Sequence, residues 1–191
     1  MGRHEHLIVF AREPRMGAVK SRLAKGIGVV AATIWYRRQL RDLLRRLKGV
    51  AWRRRYLFVT PPTARHARIW PRGWIVMRQT KGDLGARMRH ALSAPGPGPA
   101  VLVGSDIPGI RARHLDAAFR ALAGNDMVLG PAADGGYWLI GMRRRRAPPP
   151  FGPVRWSSEH ALADTIAGFP KGSTVALIET LNDVDDVGDL V

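Results

Sequence analysis

The sequence predicts an α/β fold: one three-layer sandwich in which helices cover both faces of a mainly parallel β-sheet. Apolar runs of strand length alternate with segments of helical periodicity along almost the whole chain. This alternation is typical of strand–helix–strand units joined by right-handed crossovers. A length of 191 residues fits one domain with one core, and no repeat or linker interrupts it, so we expect residues 1–191 to form a single domain.

Apolar runs set the expected strands. Residues 7–11 and 100–104 are continuous β-prone runs, which suit strands buried on both faces of a parallel sheet. The other expected strands are 56–60, 74–77, 127–129, 137–142 and 174–178. The segment from Phe10 to Leu23 is expected to be a loop.

The clearest expected helix runs from about Val29 to Lys48. Its leucines at 40, 43, 44 and 47 recur at helical spacing, while arginines occupy most of the other face. Further helices are expected at 83–92 and 113–122, and a last one carries Leu162 and Ile166. Ser157 or Ser158 could cap that last helix.

Composition excludes several classes of protein. The 46% of hydrophobic residues is too high for a disordered basic tail, and the absence of cysteine excludes disulfide scaffolds, thiolate zinc sites and cysteine nucleophiles. No Gly-x-Ser-x-Gly elbow indicates a serine hydrolase. No apolar stretch approaches the roughly 18 to 20 residues that cross a bilayer, so we expect a cytoplasmic protein with no membrane partner.

The formal net charge of +16 has two interpretations. It indicates contact with phosphate-rich ligands, nucleic acid included, or a basic solvated surface. The arginine-rich helix favours nucleic acid, but no helix-turn-helix, zinc-finger or RNA-recognition motif accompanies it, which makes nucleic-acid binding the weaker alternative. The four arginines at 143–146 are expected to form a solvated basic turn.

The segment after the first expected strand is rich in cations. Sheets of this type bind ligands beyond the carboxyl ends of their strands. Here Arg12, Arg15, Lys20 and Arg22 surround a turn that contains Gly17. Arginine, lysine and glycine-exposed backbone N–H groups are what a phosphate chain needs, although the Walker spacing is absent. The alternative is a solvated basic loop.

Acidic residues follow two other expected strands. Asp106 comes just after the run at 100–104, where a carboxylate could hold Mg²⁺ or Mn²⁺ against a diphosphate or could simply cap a turn. Asp183, Asp185 and Asp186 follow the last strand. They could supply a second metal ligand or form a solvated acidic end.

Two glycine-containing segments also lie beyond expected strands. In Asp134-Gly135-Gly136 the glycines allow close approach of a ligand to the backbone, but the same residues make an ordinary hairpin turn. Asp83 can cap a helix, which is its more ordinary use, while Gly82 could admit a base or a sugar.

Taken together, these segments resemble one family in order and spacing. The motifs are Ala-Arg-x-Pro-x-x-Gly-x-x-Lys-Ser-Arg-Leu, Gly-Asp-Leu-Gly-x-Arg-Met, Gly-Ser-Asp-x-Pro, Gly-Pro-Ala-x-Asp-Gly-Gly-Tyr and a late Asp-Val-Asp, and they extend from Leu7 to Asp189. They resemble bacterial nucleotide-diphospho-sugar transferases of GT-A-like fold. The segment Lys20 to Leu23 is also similar to that of phospholactate and, more distantly, molybdenum-cofactor guanylyltransferases.

The resemblance implies a role for each matching residue. Arg12, Lys20 and Arg22 would bind phosphates, and Gly82 and Asp83 would lie beside the nucleotide. Asp106 would bind Mg²⁺ or Mn²⁺, with Asp183 or Asp185 as a second metal contact. The acceptor would be bound by residues from two segments: Asp134, Gly135, Gly136, Tyr137, Trp156 and Ser157.

One departure and two reactions follow from the resemblance. Sugar-transferring members usually present Asp-x-Asp at the metal, but here Gly104 replaces the first acid, so a second carboxylate must come from elsewhere. A glycosyltransferase would take a nucleotide-sugar donor and a small-molecule acceptor, with Asp134 as the base. A nucleotidyltransferase would instead take a nucleoside triphosphate and a phosphorylated acceptor, and would release pyrophosphate.

Overall fold

The computed structural model describes residues 5–49, 54–143 and 151–190, and it confirms the α/β fold. Its strands are β1 (His6–Arg12), β2 (Arg54–Thr60), β3 (Ile75–Arg78), β4 (Ala100–Val103), β5 (Met127–Pro131), β6 (Tyr137–Met142) and β7 (Val175–Leu177). Its helices are α1 (Ser21–Ile27), α2 (Val29–Lys48), α3 (Leu84–Ser93), α4 (Ala112–Gly124) and α5 (Ala161–Ala167).

The strands form one sheet in the order β3-β2-β1-β4-β6-β5-β7. Every neighbouring pair is parallel except those of β6, which runs antiparallel to both β4 and β5. The connection between β5 and β6, residues 132–136, is too short for a crossover, so these strands must pair as a hairpin. The prediction of a mainly parallel sheet is therefore confirmed.

Helices pack on both faces of the sheet. Along β1, Leu7 and Val9 face the side covered by α2 and α4, and Ile8 faces the side covered by α3 and α5. All three side chains are fully buried, which is why the run shows no polar alternation. The core is thus divided by the sheet into two apolar layers, as in a three-layer sandwich.

Two local predictions are wrong. The expected loop after β1 ends early because α1 begins at Ser21. This short helix carries one fully buried side chain, Leu23, and so offers no helical periodicity. No serine caps α5: the preceding residue is His160, whose side chain makes no capping bond, and the Ser158 hydroxyl accepts from the His160 N–H at 3.3 Å.

The predicted basic turn falls mostly outside the described residues. Arg143 follows β6 and its backbone N–H donates to the Asp126 carbonyl at 2.9 Å, whereas residues 144–146 lie outside the described ranges. Among the helices described here, none combines the length and the apolar character needed to span a membrane.

Candidate active site

A cavity of about 570 Å³ opens at the edge of the sheet where the parallel strands end. It collects side chains from the segments after β1 and β4, from the β5–β6 connection, from α3 and from the chain after β7. Most of the predicted site residues line it: Arg12, Lys20, Arg22, Asp106, Asp134, Gly136, Tyr137, Trp156, Ser157, Asp183 and Asp185. Gly17, Gly82, Asp83 and Gly135 are not among its lining residues.

Lys20 lies between two carboxylates in this cavity. Its Nζ donates to Asp106 Oδ2 at 3.0 Å and to Asp185 Oδ1 at 2.8 Å, and only 7% of its side chain is exposed. Burial by itself would lower the pKa of the ammonium, but Asp106 and Asp185 together outweigh it, and the pKa of Lys20 is raised. A charged Lys20 therefore joins the segments after β1, β4 and β7.

Asp106, Asp183 and Asp185 form an acidic cluster. One carboxylate oxygen of each lies within 4.8 Å of the others. Burial, followed by the charges of Asp185 and Asp106, raises the pKa of Asp183 to about 6. Negative charge thus accumulates here in spite of Lys20. Oxygen ligands at this spacing and an excess of negative charge fit Mg²⁺ or Mn²⁺.

Gly104 lies close to the cluster. A Cβ at this position would lie 3.0 Å from Asp106 Oδ1 and 3.1 Å from the end of the Ile107 side chain, so a larger residue would require these two side chains to shift slightly. The companion carboxylates come from the chain after β7. That chain is held in place by a hydrogen bond from the Val184 N–H to the Asp106 carbonyl at 3.3 Å.

A buried hydroxyl supports the segment after β1. The Tyr36 hydroxyl accepts from the Arg12 N–H at 3.0 Å and lies 2.9 Å from Ser105 Oγ, so it bridges the segments after β1 and β4. The Arg12 side chain donates to the Ala18 carbonyl at 3.0 Å. Gly17 has a left-handed φ of 72°, and a Cβ at this position would have no heavy atom of the described residues within 4 Å beyond its chain neighbours. Tyr36 was not predicted as a site residue, because it occupies an apolar-face position of α2.

The other cation predicted in this segment, Arg22, is exposed. Its Nη1 pairs with Asp185 Oδ2 at 3.2 Å, and 70% of its side chain is accessible. Arg22 therefore lies at the rim of the cavity, while Lys20 lies inside it.

The Asp134 segment forms a tight turn. Asp134 Oδ1 accepts from the Gly136 N–H at 2.9 Å. Gly135 has φ 82°, and a Cβ there would lie 2.2 Å from the Glu159 carbonyl oxygen, so only glycine fits. Gly135 thereby packs the turn against the chain before α5, and the Asp134 side chain lines the cavity.

Tyr137, Trp156 and Ser157 form part of the wall near α5. The Tyr137 hydroxyl accepts from Thr165 Oγ1 at 3.3 Å, and burial raises the pKa of Tyr137, so the phenol stays neutral. Trp156 packs on α3, where a Cβ at Gly85 would lie 2.9 Å from the indole. Ser157 has the left-handed φ of 59°. This wall is mainly aromatic and uncharged.

Asp83 caps helix α3, which is the more ordinary of its two expected roles. Asp83 Oδ1 accepts from the Ala86 N–H at 2.8 Å at the start of α3. Gly82, at φ 110°, turns the chain just before this cap. In this region the cavity is lined instead by Gln79 and Arg87, to which the sequence analysis gave no role.

Residues 43–158 match the model of a protein family described as uncharacterized proteins conserved in bacteria, DUF2064. The chain belongs to this family. No curated protein matches the DUF2064 chain.

Solved structures share its fold. A "putative nucleotide-diphospho-sugar transferase" from Desulfovibrio desulfuricans G20 is 30% identical, with 97% of this chain and 84% of that chain covered and a TM-score of 0.86. The inositol-1-phosphate CTP transferase from T. maritima is 14% identical, with coverage of 100% and 93% and a TM-score of 0.59. A manganese complex of Rv0371c from Mycobacterium tuberculosis H37Rv is 16% identical, with coverage of 98% and 96% and a TM-score of 0.56.

These matches confirm the predicted fold. The DUF2064 chain has the nucleotide-diphospho-sugar transferase fold, and its resemblance to that group is confirmed by the Desulfovibrio protein. The nucleic-acid-binding alternative gains no support from them.

Proposed function

We propose that this DUF2064 protein is a metal-dependent transferase, and that it moves a sugar from a nucleotide-sugar donor to a small-molecule acceptor. One observation carries the proposal: Lys20 and the acidic cluster meet in one cavity at the strand ends. The name of the Desulfovibrio relative supports the donor class. The proposal treats residues 1–191 as one domain acting in the cytoplasm.

The acidic cluster would hold the cation, Mg²⁺ or Mn²⁺. A divalent cation supplies positive charge to a diphosphate as it leaves. Lys20 forms ion pairs with Asp106 and Asp185 and presents its own charge to the cavity. Arg12 and Arg22 lie nearer the mouth, where arginine can contact phosphate oxygens in forked geometry.

The remaining lining residues would bind the acceptor. Asp134 is the candidate base, because it lines the cavity and is close enough to the acidic cluster for its charge to contribute to the raised pKa of Asp183. It would accept the proton of the acceptor hydroxyl as that oxygen bonds to the sugar carbon and the bond from sugar to diphosphate breaks. Trp156 contributes an aromatic ring to the cavity lining.

Nucleotidyl transfer is the second candidate. The T. maritima match is a CTP transferase by name, and Gly104 lacks the first acid usual in sugar-transferring enzymes. In this reaction an acceptor phosphate oxygen would attack the α-phosphorus of a nucleoside triphosphate. The bond to the β-phosphate would break and pyrophosphate would leave. The same cations would stabilise either leaving group.

A ligand screen followed by product analysis tests both candidates. Nucleoside triphosphates and nucleotide-sugars are added with and without Mn²⁺, and a ligand of the folded protein raises its melting temperature. Acceptors are then supplied with the best donor. Release of a nucleoside diphosphate supports sugar transfer, whereas release of pyrophosphate supports nucleotidyl transfer. A screen in which no nucleotide stabilises the protein, with or without Mn²⁺, contradicts both.

A further inference from the structure

Arg87 is a half-buried cation in the cavity wall. Within the described ranges, no carboxylate forms an ion pair with it. Lys20 and Arg22, which line the same cavity, are both paired with acids. Arg87 therefore brings positive charge to the cavity that the described chain does not neutralise.

Two neutral acceptors fix the direction of this guanidinium. Arg87 Nε donates to the Asp83 carbonyl at 3.2 Å, and Nη1 donates to Gln79 Oε1 at 3.3 Å. An arginine has five N–H donors, so these two bonds leave three for a ligand. Three donors on one planar group match two oxygens of a phosphate or carboxylate.

Gln79 is suited to hold Arg87 rather than to bind a ligand itself. Its side chain is 7% exposed, and its Nε2 donates to the Phe58 carbonyl at 3.0 Å. That bond leaves the amide oxygen as the end that meets Arg87. Both ends of the amide are thus engaged within the protein, and Gln79 acts as a positioning residue for the guanidinium.

The local field also favours an anion. Arg87 lies in the first turns of α3, where the helix dipole disfavours a cation, and the nearby Asp83 carboxylate is used as the helix cap. No carboxylate of the described residues forms an ion pair with Arg87 to offset this field. Lys81 and Arg78, both exposed nearby in sequence, add further positive charge.

This place is separate from the acidic cluster. Gln79 follows β3 and Asp106 follows β4, and β2 and β1 lie between those strands in the sheet. Three spacings of about 4.8 Å separate β3 from β4 by roughly 14 Å. One extended ligand could reach both places within the cavity, whose lining includes Arg87 and Asp106.

We infer that Arg87, oriented by Gln79, binds an anionic group of the substrate, a phosphate or a carboxylate, distinct from the diphosphate held at the acidic cluster. This inference rests on the proposed function, which supplies the first anion, the diphosphate at the acidic cluster. It implies that the substrate, whether one molecule or a donor and an acceptor together, carries acidic groups at two separate places. The second acid belongs either to the nucleotide donor or to the acceptor.

Binding measurements on Arg87→Gln and the matched variant Arg89→Gln test the inference. Arg89 lies on the same helix, is exposed and does not line the cavity. With Mn²⁺ present, each protein is titrated with nucleosides, their mono-, di- and triphosphates, and inorganic phosphate. We expect Arg87→Gln to lose affinity for at least one anion by about 10-fold or more, because a charged hydrogen bond is removed. Arg89→Gln should bind like the unmodified protein.

The pattern of loss identifies the source of the anion. A loss that appears with triphosphates but not with diphosphates, and that is equal for all bases, assigns Arg87 to a donor phosphate beyond the diphosphate. A loss already complete with diphosphates would place Arg87 at the diphosphate itself and would overturn the inference. A loss confined to inorganic phosphate added to the nucleotide-saturated protein assigns it to an acidic acceptor. An equal loss for uncharged nucleosides, a loss that depends on the base, or no loss for any anion overturns the inference.

A second variant tests the role given to Gln79. Gln79→Met removes the acceptor and keeps the volume, so anion affinity should fall by part of the Arg87→Gln loss. A lower melting temperature with unchanged anion affinity would show that Gln79 only stabilises the fold. If the unmodified protein binds no nucleotide, the proposed function fails, while the titration with phosphate alone still decides whether Arg87 binds an anion.

Discussion

The two ends of the cavity are built by different means. At the end formed by the segments after β1, β4 and β7, Lys20 and the acidic cluster neutralise one another in part, with contacts of 2.8 and 3.0 Å. At the α3 end, two neutral groups, the Asp83 carbonyl and the Gln79 amide oxygen, accept hydrogen bonds from Arg87. The acidic cluster has more negative charge than Lys20 offsets and suits a cation, whereas the charge of Arg87 suits an anion. A single cavity therefore presents opposite charges to the two parts of its ligand.

Asp106→Asn should have the largest effect. Removing one of the three carboxylates should weaken nucleotide binding in Mn²⁺ by about 100-fold or more, beyond the loss typical of outer-sphere partners. The fold should remain, because the side chain is partly exposed and Lys20 keeps its bond to Asp185. Calorimetric titration measures the affinity, and circular dichroism checks the fold.

Glu159→Gln is the matched control for this loss. It removes the same charge from a side chain that is 80% exposed and does not line the cavity. Equal affinity of Asp106→Asn and the unmodified protein would mean that the cation binds elsewhere. The acidic cluster and Arg87 would then not bind opposite charges in one cavity.

Lys20→Met should change two affinities in opposite directions. Without the ammonium, the acidic cluster gains free negative charge, and Mn²⁺ alone should bind about fivefold more tightly, which corresponds to roughly 1 kcal/mol of electrostatic free energy. Nucleotide affinity in saturating Mn²⁺ should fall about 10-fold, because a charged contact to phosphate is lost. Titrations with Mn²⁺ and with nucleotide measure each affinity separately.

The exposed Lys25 supplies the control, and Lys25→Met should leave both affinities unchanged. If Lys20→Met weakens Mn²⁺ and nucleotide together, the lysine holds the cluster together instead of competing with its cation. Lys20 would then have a structural role at the acidic cluster.

Tyr36→Phe should lower the free energy of unfolding by about 1 to 2 kcal/mol, since the Arg12 N–H and the Ser105 hydroxyl both lose a buried partner. Ser105→Ala removes one of the same contacts. The double variant should therefore lose less than the sum of the single losses, as expected for groups in contact. Urea unfolding measures all three. Strict additivity would show that the two hydroxyls do not interact.

The layers of the fold were predictable because each depends on a local pattern. The apolar run at residues 7–11 predicted the buried strand β1, and the spacing of the leucines predicted α2. Helix α1 was missed because only Leu23 is buried in it. The antiparallel direction of β6 agrees with the hairpin turn that Asp134-Gly135-Gly136 offered as an alternative.

The residue types of the site were predictable, and the resemblance implied that Asp106 lies near Asp183 or Asp185, but the ion pairs of Lys20 were not predicted. Lys20 meets Asp106 across 86 residues and Asp185 across 165, and no local pattern specifies such contacts. Arg87 stood in a quoted motif, yet only the three-dimensional structure shows that no carboxylate of the described residues pairs with it. The capping alternative for Asp83 was correct because a cap acts within one turn of its own helix.

The smallest expected effect concerns the wall that carries Trp156. Asp164 accepts from the Arg155 Nε and Nη2 at 2.8 Å each and from its backbone N–H at 3.0 Å, and these bonds hold the pKa of Asp164 far below its usual range. A lowered folded-state pKa stabilises the protein above the unfolded pKa of about 3.9, and that stability is lost as the pH falls further. Asp164→Asn should therefore be less stable than the unmodified protein at neutral pH, and the difference should shrink below about pH 4. Urea unfolding over a pH series measures it. A difference that stays constant down to about pH 2 would mean that the carboxylate charge contributes nothing, and that the uncharged wall depends on packing alone.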